Sequence, residues 1–333
     1  MSYTKEQLKY EKVINPTIDE GFKLIFGRED VSEPLLLSLL NSIFANDPDF
    51  GDITKLRFIQ TEHPNEYIHG RGLRYDIRCE TASGHRFIVE MQKADQENFI
   101  ARSQYYVSRD IASQGYKGKD DRNKQWDFSL VPVIGVFFCN FMISELDRKP
   151  VTYARILDEE NHQTIGEYQR YVYIQLPCFV KEKVECDSFI DKWIYNIKNM
   201  GTMQSVAFKT QDEIFEYLDN VSNVATLPPE ERGVYEAALM RARDYNAQMK
   251  FARKKAMAEG HAEGRAEGRA EGRAEGRAEG RAEGRAEGRA EGAELEKISL
   301  VKSFAAQGVD LNIIAKATGL SIEKIHEIIN DNH

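Results

Sequence analysis

Three side chains able to support hydrolytic chemistry lie in one short stretch, YDIRCETASGHRFIVEMQK at residues 75–93: Asp76, Glu90 and Gln92. The stretch alternates apolar and polar residues on either side of Ser83-Gly84, the pattern of two strands joined by a short turn. Setting Asp76 opposite Glu90 places Tyr75 against Met91, Ile77 against Val89 and Cys79 against Phe87, apolar against apolar. It also pairs Glu80 with Arg86, an opposite-charge pair worth ~0.2–1 kcal/mol. A one-residue slip would set apolar against polar throughout. In this register Asp76 and Glu90 are cross-strand neighbours, and Gln92 lies two residues along the same face. Two carboxylates that close repel and shift each other's pKa unless a cation sits between them. Mg²⁺ meets that need, since it binds through one or two carboxylates and keeps several waters. An activated water of that kind can attack a phosphodiester. The backbone carbonyl of Met91 is placed to complete the coordination. The same acids also read as the solvated face of an edge hairpin, present for solubility.

The elements that must position this hairpin are legible on both sides of it. PTIDEGFKLIFG reads as a short helix ended by Gly27, and VSEPLLLSLLNSIF as a helix begun by Ser32 and Pro34 with one leucine-rich stripe. ITKLRFIQ reads as a first strand. After the hairpin, ADQENFIARSQYYVSRDIASQGY is helical in pattern and ends near Gly115. The buried strand VPVIGVFF follows, so helix and strand suggest a right-handed crossover. RYVYIQLPCF is a further strand, and FIDKWIYNIKNM an amphipathic helix closing the domain.

Four motifs in order then carry a resemblance: DxxFKxxFG from Asp19 to Gly27 (with Ile25 before the Phe26-Gly27 pair), DIRC at 76, VEMQ at 89 and ARSQYY at 101. Together they resemble the PD-(D/E)xK nuclease superfamily, specifically its recombination-promoting nuclease (Rpn) and transposase family, over roughly residues 10 to 200. The resemblance implies an α/β restriction-endonuclease-like core, a mixed sheet flanked by helices, with an α-helical C-terminal extension. It also implies Mg²⁺ dependence, with Mn²⁺ as a substitute, and cleavage of DNA. By position, Asp76 and Glu90 would be the metal ligands, and Gln92 would stand where the family's lysine stands. Tyr75 occupies the place of the proline. Asp19 would be a further acidic contributor. Arg102, Gln104 and Tyr105, on the following helix, would contact phosphate. Of the lysines that could compensate for Gln92, Lys93 alternates to the opposite face, which leaves Lys23.

Composition divides the chain into a nuclease-like domain (1–200), a helical extension (201–257), an AEGR array (258–293) and a small helical unit (294–333). The four-residue unit puts like charge on like at i and i+4, which mildly destabilises a helix. Each glycine costs about 1 kcal/mol relative to alanine. An isolated helix is therefore disfavoured, which leaves a flexible spacer or a helix stabilised by self-association. This density of charge excludes a bilayer, despite a glycine every fourth residue. In the last unit Ala315, Gly319 and Ile325 have helix-turn-helix spacing. Its second helix offers Glu323, Lys324, His326 and Glu327, a poor set for reading bases, so protein docking is the competing role.

The net charge of −9 argues against broad adhesion to nucleic acid and requires any basic cleft to be local. Four scattered cysteines give neither a zinc pattern nor a disulfide framework. With no apolar core in MSYTKEQLKY and no span-length apolar run, a reduced, cytoplasmic protein is expected. There is no P-loop and no GxSxG elbow, and the seven histidines lack ligand spacing. The expected function is a Mg²⁺-dependent DNA endonuclease tied to recombination or mobile-element movement, with homo-oligomers through the array and C-terminal helices. The rival is a nuclease-fold protein of weak or no activity that binds DNA or protein as an assembly module. Cleavage of RNA stays open.

Overall fold

The computed structural model describes residues 12–48, 50–63, 73–94, 97–115 and 130–331. The opening MSYTKEQLKY lies outside them. The described chain divides into a unit up to Asn246 and a second from Ala247 onward.

The first unit begins with helices α1 (Asp19–Phe26) and α2 (Glu33–Phe44). Gly27 caps α1, its amide returning to the Lys23 carbonyl, and Pro34 sits in the first turn of α2 where a missing amide donor costs nothing. Strand β1 (Leu56–Phe58) follows, then the two-residue pair β2 (Glu62–His63) and β3 (Leu73–Arg74). The hairpin is β4 (Ile77–Thr81) and β5 (Arg86–Gln92). Beyond it come α3 (Phe99–Ser113), β6 (Val133–Cys139), β7 (Val151–Arg155) and β8 (Gln169–Gln175). The six main strands form a mixed sheet in the order β1-β4-β5-β6-β8-β7, parallel at β5–β6 and β6–β8 and antiparallel elsewhere. This is the α/β nuclease-like architecture expected, a sheet flanked by helices. The edge strand β7 was not anticipated: VTYAR has only five residues and no apolar alternation strong enough to announce it.

Helices α4 (Phe189–Asn199), α5 (Glu213–Val221) and the first turns of α6 (Pro229–Ala306) complete one layer. With α1 and α2 they bury Phe87, Val89 and Met91 of β5 and Ile134, Val136 and Phe138 of β6 in one core. Phe215, Leu218, Tyr235 and Leu239 belong to that core, so residues well past 200 pack with the first unit. Helix α3 covers the other face, over Ile88, Val133, Phe137 and Tyr173. Strand β6 is buried on both sides, which explains its unbroken apolar sequence.

The hairpin register is the one the sequence pattern demanded: Ile77 pairs with Val89, Cys79 with Phe87 and Glu80 with Arg86. Gly84 closes the turn at φ +89°, a conformation that L side chains rarely adopt. Two expectations fail. Tyr75 does not meet Met91 on the apolar face, because pairing starts at Ile77. The chain bends at Asp76, and Tyr75 goes to the α3 side, its hydroxyl donating to the Tyr106 carbonyl at 3.1 Å. Nor is the acidic face a solvated edge. The hairpin lies inside the sheet beneath α3, and Glu90 and Gln92 are 2% and 8% exposed.

In the second unit the AEGR array is helical, as part of α6, with every repeat residue exposed. Helix nucleation is the costly step and propagation is not, so turns formed on either side carry the helix across the glycines. Helices α7 (Leu311–Thr318) and α8 (Ile322–Asn330) join through Gly319 at φ +68°. Val301, Ile314, Ile325 and Ile328 form a small core there, with Ala315 packed against it. Asp310 and Ser321 cap the two helices by accepting from Asn312 and Lys324 amides.

Candidate active site

The bend at residue 76 and the end of β5 bring the two carboxylates into one hydrogen-bonded cluster. The Asp76 amide donates to Glu90 Oε1 at 3.1 Å, and the Met91 amide donates to Asp76 Oδ2 at 3.0 Å. Each acid thus fixes the other's strand. Gln92 Nε2 donates to Glu90 Oε2 at 3.0 Å, so both oxygens of Glu90 are engaged. The amide and carbonyl of one strand residue point to the same edge, which leaves the Met91 carbonyl on the Asp76 side.

Helix α1 supplies the positive charge. Lys23 Nζ lies 2.9 Å from Asp76 Oδ1 and 3.7 Å from Asp19 Oδ2. The one-turn spacing of Asp19 and Lys23 along α1 puts both on the side facing the hairpin. Their apolar neighbours Phe22, Ile25 and Phe26 are buried and hold the helix in place. Lys93 is placed differently, its ammonium 5.7 Å from the centre of the Tyr245 ring.

Burial dominates the electrostatics. It pushes the Glu90 carboxyl well above its ordinary range, reinforced by the Asp76 charge; the Asp76 amide and the Arg102 charge oppose this without reversing it. Asp19 is also raised, first by desolvation and then by Asp76. The Lys23 ammonium is raised in spite of partial burial, because Asp76 pairs with it.

Of the three phosphate-contact candidates on α3, the structure ties one to the cluster. Arg102 is held by Tyr106, with Nε and Nη2 donating to the hydroxyl at 3.3 and 2.9 Å and the guanidinium 5.1 Å from the ring centre. Its field reaches Glu90. Gln104 and Tyr105 lie on the exposed side of the helix, away from the buried stripe of Ser103, Tyr106 and Val107. Two supporting features were missed from sequence. Tyr106 as the holder of Arg102 was readable from the one-turn spacing. The buried ion pair of Arg78 with Asp110 beneath the hairpin was not, since nothing local links residues so far apart.

The donors fit a hard divalent ion. Two carboxylates and a carbonyl are all oxygen, and Glu90 carries a buried acid whose ionisation lacks a full counter-charge where it sits. Among the described residues no group of three or more His, Cys, Asp or Glu side chains forms a cluster able to hold a metal.

The family model for PD-(D/E)XK nuclease family transposases matches residues 16–252, more than two thirds of the chain. The chain belongs to that family. The match runs from the residues leading into α1 to the first part of α6, and so spans the sheet, α3 and every residue of the cluster. No curated protein and no solved structure matches. Among the described residues no helix is long and apolar enough to cross a membrane.

Proposed function

We propose that this protein is a divalent-metal-dependent nuclease that hydrolyses phosphodiester bonds of DNA, with Mg²⁺ as the ion and mobile-element movement as the setting. The single observation that carries the reading is the mutual clamp of Asp76 and Glu90, two buried carboxylates held together in a member of a nuclease family. Asp76, Glu90 and the Met91 carbonyl would hold the ion. When bound, the ion supplies Lewis acidity to the scissile phosphate and makes water a competent nucleophile at neutral pH.

The chain's own groups divide the remaining work. Gln92 fixes Glu90 through Nε2 and presents its Oε1 to orient the attacking water. Lys23 provides the cation that Gln92 lacks, countering the charge that develops on the phosphate, with Asp19 setting its position. Arg102, aimed by Tyr106, would bind a phosphate oxygen of the strand, and Gln104 and Tyr105 on the outer side of α3 would meet the flanking backbone. The new bond forms from the water oxygen to phosphorus as the water's proton leaves to solvent, and the bond to the leaving sugar oxygen breaks, that oxygen taking up a proton from solvent.

A second reading, a weakly active fold used for assembly, is favoured by one observation: the neutral Gln92 fills the lysine position. Nicking of supercoiled plasmid in Mg²⁺, Mn²⁺ or EDTA, beside Asp76→Ala and Glu90→Ala, separates the two. Metal-dependent nicking lost in both variants supports the nuclease. Nicking that survives both variants overturns the assignment of this site.

A further inference from the structure

Between Glu259 and Gly292 helix α6 repeats Ala-Glu-Gly-Arg with every side chain exposed. At about 100° per residue, a step of four advances about 40° past a full turn. The glutamates therefore form one winding row and the arginines another, on nearly opposite sides of the helix. Neighbours at i and i+4 are Glu on Glu and Arg on Arg, so each row repels itself. Among the described residues no salt bridge joins a repeat Glu to a repeat Arg. The polar contacts at the start of the array are Lys255 with Glu259 at 3.7 Å and Arg265 Nε with the His261 carbonyl at 3.2 Å.

The glycines add a second observation. A Cβ built on any glycine from Gly260 to Gly292 would meet nothing within 4 Å. Nothing in the chain itself needs a glycine there, although each costs about 1 kcal/mol against alanine. Charges that can be paired only from outside thus share a helix with a small-residue surface that only an outside backbone could use.

We propose that the repeat is a self-association segment in which the Glu row of one chain pairs with the Arg row of a second copy. The chemistry favours a second copy over nucleic acid, because each of the seven complete units carries one acid and one base and the chain as a whole is acidic. The winding fixes the mode of contact. A row circles the helix once in about 54 Å at about 1.5 Å per residue, far tighter than the roughly 150 Å pitch of a two-stranded supercoil. Two copies therefore cross, ridge into groove, at about −50°, and touch over a few units. Because every unit is alike, the crossing recurs at each four-residue step, and loss of a whole unit leaves the contact intact.

The test uses the full chain, freed of nucleic acid, in sedimentation equilibrium at ~50 mM and ~500 mM salt, where Debye lengths differ about threefold. Two charge variants accompany it, Arg→Glu at all seven repeat arginines (R265E onward) and Glu→Arg at the repeat glutamates. The wild type should show a molar mass at least twice that of one chain at low salt, falling at high salt. Each variant alone should be a single chain, and an equimolar mixture should regain the doubled mass. Replacing the nine glycines by Gln, which keeps the charges but blocks close approach, should weaken association at least tenfold. A wild type that stays single at low salt overturns the proposal. So do charge variants that remain associated alone, a mixture that stays apart, Gln variants that associate unchanged, or association that requires bound nucleic acid.

Discussion

Replacing Glu90 by Gln should make the metal-free protein more stable while destroying its proposed chemistry. Glu90 is 2% exposed, and burial with the Asp76 charge raises its pKa above the unfolded value. The sign follows directly. The fold favours the protonated acid, so its contribution is fully present below the unfolded pKa near ~4.3 and is lost as pH rises through the folded pKa. Above its folded pKa the ionised group carries a burial penalty of several kcal/mol per ion before its hydrogen bonds offset part of it. Gln has the same shape and no charge. It can keep one of the two accepted bonds, from the Asp76 amide and Gln92 Nε2, and losing the other costs ~0.5–1.5 kcal/mol. The net gain is about 1–2 kcal/mol, a rise in Tm of about 2–8 °C for a unit of this size. Thermal unfolding in EDTA at pH 8 and near pH 4.5 reads it: the gain should appear at pH 8 and vanish or reverse at the lower pH. A Glu90→Gln protein no more stable than wild type at pH 8, with an unchanged pH profile, would refute an uncompensated buried charge at this position.

Lys23→Gln removes the cation 2.9 Å from Asp76 and should lower cleavage by about 10² or more, while the rise in Tm on adding Mg²⁺ persists; unchanged cleavage in the nicking assay would remove Lys23 from the chemistry. Arg78→Met breaks the buried ion pair with Asp110 and should cost about 3–5 kcal/mol in urea unfolding. Adding Asp110→Leu should recover most of that loss, and no recovery would count against the ion pair as its cause. Gly84→Ala, at φ +89° in the hairpin turn, should cost about 1–2 kcal/mol of stability and move the Tm downward; a neutral result would show that the turn relaxes.

The hairpin was legible because alternation on two strands admits one register, and that register alone puts Asp76 beside Glu90. The helix ends at Gly27 and Ser32 were legible for the same kind of local reason. The direction of Tyr75 was not, because the bend at Asp76 depends on pairing with a neighbouring segment, the Tyr75 amide donating to the Thr61 carbonyl. Burial of Glu90 was hidden too: whether a polar strand face is wet or dry is decided by α3 and by the neighbouring strand β6, not by the strand's own residues. Lys23 was picked out by elimination of Lys93, and the ion pair with Asp76 gives it a physical position. Of the two states left open for the array, spacer or helix, the structure shows the helix. Repeat chemistry disfavours a helix in isolation, but the flanking turns of α6 are helix-forming and continuous with it.

The most direct test of the central claim is calorimetric titration of Mn²⁺ into the wild type, Asp76→Asn and Glu90→Gln at pH 8. Binding to one site in the wild type, lost in both variants while their folds stay intact by circular dichroism, is the predicted result. Binding that is equal in all three proteins would contradict it, and would place any metal elsewhere in the chain.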